Sequence, residues 1–198
     1  MTPRRATVPA WALVLLVAAA AGATGGCVPA AVVAVGAAGV TLVANDPRTT
    51  SAQLDDETIE QKLTSASGSR WGDSVHLNAT SYNGVVLLTG EAPTQGVRAE
   101  IVRLAQGTER VKSVYDEMVV APVSDLAARS DDTLVTSNVK ARMVRSETVS
   151  SLYVKVVTER RVVYLMGIVT PAQGDAVAQV AATTAGAARV VKLFELRS

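Results

Sequence analysis

One cysteine and one histidine in 198 residues leave little of the side-chain chemistry that marks most enzymes and metal proteins. A lone thiol has no disulfide partner in its own chain, and without a Cys/His set there is no zinc-site spacing. Aromatic residues make up 4% and include a single Phe, so any core has to be built from aliphatic side chains. Net charge is also scarce: the formal balance of +1 supplies no field that would attract nucleic acid or a strongly acidic partner. Neither glycine-bounded turn has P-loop or dinucleotide spacing. His76 alternates outward from Val75 and Leu77 on an expected strand and reads as a surface residue rather than a ligand or base. The acidic pairs Asp55-Asp56 and Asp131-Asp132 fall at expected helix starts, where capping and the helix dipole account for them. The reading is therefore a non-enzymatic chain with no cofactor, no metal, no nucleic acid and no small-molecule substrate.

What the chain does have begins at its N-terminus. Arg4 and Arg5 precede an apolar run of about eleven residues and a small-residue exit at Ala23-Thr24-Gly25-Gly26, the layout of a secretory signal over 1–26. The run is short for a spanning helix of about 20 residues. Cys27 sits where the exit ends, and this placement resembles the bacterial lipoprotein signal, whose cysteine becomes the lipidated N-terminus; the other reading is a free thiol. Thr24 stands where that signal usually has Leu. Val28 occupies the place of an Asp that would retain the protein in the inner membrane, so the resemblance favours the outer membrane. A second apolar stretch, 28–44, is rich in Gly and Ala and is expected to lie against the bilayer or to act as a linker, so that 27–54 forms a lipidated, Gly/Ala-rich lead into the folded part.

The remainder repeats itself. Module 1 is expected over 55–120 and module 2 over 131–198, joined by a polar, Ala-rich linker at 121–130. Each copy opens on Asp-Asp and an apolar pair four residues apart, Ile59 and Leu63 or Val135 and Val139, as on one helix face. Asp55 is expected to cap the first helix, with Leu54 and Ile59 as a hydrophobic staple. Alternating segments follow, Val75, Leu77, Ala79 and Leu152, Val154, Val156, which predict strands with one buried face. The next strands, 85–89 and 162–166, are expected to end at Gly90 and Gly167. Asn83-Gly84 predicts a tight primed hairpin, whereas Glu159-Arg160-Arg161 predicts a longer or less regular turn. A Pro-x-Gln-Gly run, a helix closed by Gly107 or Gly186, and a last apolar strand at 111–120 or 190–196 complete each copy. The fold class is α+β, tandem αββαβ modules, each a mixed three-stranded sheet on two helices. So thin a core predicts that the modules support each other.

Taken together, Cys27, the Gly/Ala stretch, Asp46-Pro47-Arg48, the paired Asp-Asp starts and the Tyr82-Asn83-Gly84-x-Val-Leu-Leu-x-Gly run resemble the dual BON-domain lipoproteins over nearly the whole chain. The resemblance implies a non-enzymatic lipoprotein, anchored at the periplasmic face of the outer membrane, whose BON modules bind phospholipid and support membrane integrity. Charge separates the two copies. Residues 55–120 hold 6 basic and 10 acidic side chains, while 131–198 hold 9 and 6, so only module 2 suits an anionic bilayer. Opposite the expected core face of its first helix, Leu134, Asn138, Arg142 and Arg145 form one stripe, the candidate phospholipid contact. Leu134 stands where a well-studied family member has Trp. The alternative role is an envelope scaffold in which sheet edges or the acidic first copy recruit envelope or cell-division proteins.

Overall fold

The computed structural model describes residues 46–198 apart from 147 and 150–153, so Cys27, the N-terminal segment and Leu152 lie outside the described residues. Module 1 consists of α1 (Thr50–Trp71), a 3-10 turn (Gly72–Ser74), β1 (His76–Tyr82), β2 (Val85–Ala92), α2 (Gln95–Gln106), β3 (Ser113–Asp116) and β4 (Val119–Val120). Module 2 consists of α3 (Leu126–Val144), β5 (Val154–Glu159), β6 (Val162–Val169), α4 (Pro171–Ala182) and β7 (Arg189–Leu196). In each, an antiparallel hairpin, β1–β2 or β5–β6, is extended by a parallel strand on its second member. The fold is α+β, two αββαβ units with one sheet each.

Both long helices start earlier than the Asp-Asp pairs suggest. Thr49 caps α1 by accepting from Ala52 N at 3.2 Å, and Asp125 caps α3 by accepting from Ala128 N at 2.7 Å. Asp55 is therefore not a cap, and Leu54, exposed inside α1, forms no staple. The second aspartate of each pair does something different. Asp56 accepts the backbone N–H groups of Asn83 at 2.6 Å and Gly84 at 2.8 Å, and Asp132 accepts those of Arg160 at 2.7 Å and Arg161 at 2.8 Å. Each helix thus holds the hairpin turn of its own module. This is why the second turn is not longer or irregular: β5 and β6 close through the same two-residue loop as β1 and β2, with Glu159 opposite Val162. Arg160 and Arg161 sit at φ 50° and 63°. A left-handed non-glycine residue costs about 1–2 kcal/mol, and hydrogen bonds to a carboxylate return about 1.5–3 kcal/mol each, so the carboxylate outweighs the poor turn chemistry.

Three further departures have local causes. Gly90 lies inside β2 rather than at its end; at φ +110° its missing Cβ leaves room for the His76 carbonyl oxygen, which a Cβ would meet at 2.0 Å. The strand expected over 111–120 is split into β3 and β4, because the Asp116 carboxylate takes Met118 N at 3.1 Å and draws the chain off the ladder. Helix α4 ends at Ala182, and Gly186 serves the turn beyond it at φ +93°.

Strand alternation sets the layers. In module 1, Val75, Ala79, Val86, Leu88 and Ala92 face the helices and meet Ile59, Leu63 and Ile101. In module 2, Val154, Val156, Val163, Leu165 and Val169 meet Val135, Val139, Met143 and Val177. The opposite faces of the two sheets are covered at their centres. They close on each other through Tyr82, Leu87, Tyr164 and Met166, with Val85, Val157, Ile168, Val191 and Leu193 around them. The described residues form a four-layer stack, helices, sheet, sheet, helices, and the middle seam joins the copies. Burying each of those four side chains contributes on the order of 1.5–3 kcal/mol at most.

Charge follows the same seam. Lys155 reaches Glu60 at 2.7 Å, Arg160 reaches Glu91 at 3.5 Å and Arg189 reaches Glu117 at 3.5 Å. In each pair module 2 supplies the cation and module 1 the anion. The opposite net charges of the copies thus serve their docking, and three of the basic residues of module 2 are engaged there. The part-exposed Lys155–Glu60 and Arg189–Glu117 pairs contribute about 0–1 kcal/mol each and fix register more than stability, whereas Glu91 in the third pair is fully buried.

Two expectations follow. Expressed separately, each module unfolds at lower urea concentration than the joined pair; either copy retaining the full midpoint would show that the seam carries no stability. Replacing Asp56 by Ala removes four hydrogen-bond contacts, with Ser81, Asn83, Gly84 and Arg48, and destabilises by about 2–4 kcal/mol, more than Asp132→Ala. Burial opposes ionisation of Asp56, but those hydrogen bonds outweigh it and hold the carboxyl below its usual value. Its contribution is accordingly present above the unfolded-state pKa of about 4 and lost as pH falls through the lower folded value. Asp56→Asn flattens that acid limb of a stability–pH curve; an unchanged limb would show that another carboxylate sets it.

Candidate functional site

Helix α3 buries Asp132, Val135, Val139 and Met143 and turns its opposite face outward. On that face Leu134 is 61% exposed, and Leu126 and Val144 are 73% and 69% exposed. At about 3.6 residues per turn, Leu126 and Val144, five turns apart, share one azimuth, and Leu134 is offset from them by less than a quarter turn. The three form an apolar strip along a helix about 28 Å long. Asn138 and Arg145 are exposed on its flank. Among the described residues, no helix is long and apolar enough to cross a membrane.

The four residues singled out from sequence are not equivalent. Leu134, Asn138 and Arg145 lie open on the outer face of α3. Arg142 is turned toward α4, where it donates to Val180 O at 3.1 Å, Thr184 Oγ1 at 2.8 Å and Thr183 Oγ1 at 2.9 Å. Its guanidinium satisfies the C-terminal end of α4 and sits where the helix dipole favours a cation. Its charge still adds to the field of this face, but its donors are engaged. Sequence reasoning missed Leu126 and Val144. The sequence places Leu126 in the linker, and only the start of α3 at that residue puts it in line with Val144.

A second constellation gathers around Arg48. Arg48 pairs with Asp46 at 2.6 Å and with Asp56 at 2.7 Å, and its guanidinium lies 4.1 Å from the Tyr82 ring centre. Burial disfavours each of these charges; pairing with Arg48 outweighs it at Asp46, the Ser81, Gly84, Asn83 and Arg48 hydrogen bonds outweigh it at Asp56, and the two carboxyls lie below and Arg48 above their usual values. Burial and the Asp46 charge push the Tyr82 hydroxyl up to about 12. The Asp46-Pro47-Arg48 run is a clasp between the incoming chain, α1 and the first hairpin turn.

The third constellation lies in the seam. His76 is not an open surface residue: its side chain is 20% exposed and its Nδ1 lies 3.0 Å from Glu91 Oε2. Glu91, fully buried, also accepts from Ser124 N at 3.3 Å and Ser124 Oγ at 3.2 Å. Burial works against its charge, yet the His76 and Ser124 hydrogen bonds hold it below the usual carboxylate range. Glu159 of module 2, 6% exposed, faces them, and burial pushes its carboxyl up. One ligand atom from each of the three lies within 4.8 Å of the others. A cleft of about 320 Å³ lined by Ser124, Asp131, Asp132, Glu159, Arg160 and Arg161 opens beside them.

Comparison with known proteins identifies the repeat. The BON domain family model matches residues 55–122 and again 131–198. The chain is 41% identical over 172 residues to outer membrane lipoprotein DolP of Haemophilus influenzae, covering 86% of this chain and 88% of that protein. It is 33% identical to the 21 kDa hemolysin of Actinobacillus pleuropneumoniae, over 75% of this chain and 78% of that one. With osmotically-inducible protein Y of Escherichia coli K12 it shares 31% identity, over 67% and 68% of the two chains. Two family matches that together span the described body, one on each αββαβ unit, establish that this chain belongs to the BON-domain family as a tandem, two-module member.

Proposed function

We propose that this protein is a lipoprotein of the outer membrane, anchored through Cys27 and facing the periplasm, whose second module binds anionic phospholipid through the outer face of α3 and so supports membrane integrity. The observation that carries the reading is the exposed strip of Leu126, Leu134 and Val144 beside Arg145 and Arg142 on the cationic module. Its similarity to a protein named as an outer membrane lipoprotein supports the location. None of the three similar proteins carries an enzyme's name, which supports binding rather than catalysis.

The energetics suit an auxiliary contact. A buried Leu contributes on the order of 1.5–3 kcal/mol, and each basic residue near an anionic surface about 1 kcal/mol. Such a patch alone binds weakly and fades with salt. Paired with an acyl anchor it matters more, because stable attachment takes two signals. Leu and Val are poorer interfacial residues than Trp, whose ring suits the headgroup level.

The test is co-sedimentation of a soluble form starting at Asp46 with vesicles. Anionic vesicles bind it and neutral ones do not; Arg145→Ala weakens binding about fivefold, Leu134→Glu abolishes it, and Leu134→Trp strengthens it. Arg142→Glu is a poor probe, since loss of its bonds to α4 lowers thermal stability whereas Arg145→Ala leaves the melting temperature unchanged. Equal binding to both vesicle types, or full binding by the Leu134→Glu, Arg145→Glu double variant, would sink the lipid reading. A protein partner crosslinked equally well by that double variant favours an envelope scaffold instead. For the anchor, fatty-acid labelling of the wild type that disappears in Cys27→Ala, with loss from the outer-membrane fraction, is the expected result; undiminished labelling in the variant rules Cys27 out.

A further inference from the structure

We propose that His76, Glu91 and Glu159 form a divalent transition-metal site, suited best to Zn²⁺, that joins the two modules across the seam. Two of the ligands come from module 1 and the third from module 2. His76 and Glu91 are direct partners in the β1–β2 register, so alternation puts both on the seam face. Glu159 is the last residue of β5, on the same level of the facing sheet, and its backbone is fixed by the Asp132-held turn that follows it.

The need for a cation at this point comes from Glu159. More than nine-tenths buried, it has one hydrogen bond from a side chain, from the Thr89 hydroxyl at 3.5 Å, and that hydroxyl also lies 3.4 Å from Asn78 O. A proton shared between two acceptors at these distances serves each of them weakly. Glu159 is thus a buried carboxyl whose charge, if ionised, is poorly matched, beside a second buried carboxyl, Glu91. Arg160 approaches only the far oxygen of Glu91, at 3.5 Å, and is half exposed. Two carboxylates and an imidazole facing one point form a donor set that a dication completes and neutralises.

Geometry and ligand type narrow the choice of metal. Zinc–nitrogen and zinc–oxygen bonds of about 2.0–2.2 Å place tetrahedral ligand atoms about 3.4 Å apart. The cluster, already within 4.8 Å, reaches that by a contraction on the order of 1 Å, within rotamer adjustment. One imidazole and two carboxylates suit Zn²⁺ or Cu²⁺, whereas Ca²⁺ takes six to eight oxygens and Mg²⁺ a hydrated octahedron. Ser124, hydrogen-bonded to Glu91, is placed to orient that ligand from behind. The adjoining cleft, which Glu159 lines, gives an entry path and space for a fourth, water ligand. The site lies in the middle of the stack and shares no residue with the outer face of α3, so it stands or falls independently of the lipid reading.

The test uses the full-length chain carrying Cys27→Ala, which removes the sole thiol, purified in detergent without a histidine tag and stripped with chelator. Titration calorimetry with Zn²⁺ at neutral pH is expected to show one ion per chain, with proton release that differs between buffers of different ionisation enthalpy. Zn²⁺ raises the melting temperature, and Co²⁺ in the same site gives the visible bands of a four-coordinate ion. His76→Gln and Glu159→Gln each weaken Zn²⁺ at least tenfold and abolish the thermal shift; Glu159→Gln keeps the shape of the neutral acid and so preserves the fold, which circular dichroism verifies. Absence of saturable Zn²⁺ binding and of Co²⁺ bands in the parent protein overturns the proposal whatever the variants do. Equally, Zn²⁺ affinity unchanged by His76→Gln or Glu159→Gln places the ion on surface carboxylates and overturns it.

Discussion

The seam between the two sheets is the constraint on which the rest of this structure depends. A three-stranded sheet with helices on one face still has a second face to cover, and in both modules that face is apolar at its centre: Leu87 in one, Tyr164 and Met166 in the other. Neither module can leave it in water without losing the burial that a core of this size needs. Docking the faces converts two marginal cores into one body. It also explains the unequal charges of the copies, since Lys155, Arg160 and Arg189 find Glu60, Glu91 and Glu117 across the contact. The helix faces are then the outermost layers, and α3 presents its apolar strip because the sheet has been used elsewhere.

Within the seam the repeat is approximately symmetric, and the deviations are where chemistry appears. Gly90 pairs with Leu77, and Gly167 with Val154, so Tyr82 and Glu159 are equivalent positions, as are Glu91 and Ile168. At one end Tyr82 packs near Ile168; at the other Glu159 meets Glu91. One end is therefore aromatic and aliphatic, backed by the Arg48 clasp, and the other carries two buried carboxyls and the only histidine. A duplicated module with identical ends would have no reason to bury charge at one of them.

The patterns legible in the sequence were those written within one element. Period-two runs located β1 and β5, apolar runs ahead of a glycine located β2 and β6, and the i, i+4 pairs Ile59 and Leu63, Val135 and Val139, gave the buried helix faces. Asn83-Gly84 announced its turn because its residues tolerate positive φ unaided. Arg160-Arg161 did not, since its conformation is held by Asp132, 28 residues earlier in the chain. The same distance hid the role of Arg142, whose partners lie on α4, and of His76, whose outward direction was read correctly but whose outer side is another module. The helix starts differ because Asp-Asp is a plausible cap in isolation, while Thr49 and Asp125, the residues that do cap, lie six positions upstream of each pair. Long-range acceptors and the second layer carry no local signature.

In the proposed role the clasp at Arg48 acquires a mechanical meaning. Two weak membrane signals add only when one geometry satisfies both, and the gain falls as the connection between them loosens. Here Asp46-Pro47-Arg48 is fixed to module 1, because Asp46 and the buried Asp56 hold one guanidinium from two directions and Tyr82 covers it. Beyond that point the sheet of module 1 packs on the sheet of module 2, the module that carries α3. In that role an acyl group on Cys27 would raise the effective concentration of the outer face of α3 at the bilayer. Loosening the seam would weaken membrane engagement even with every residue of the α3 face intact.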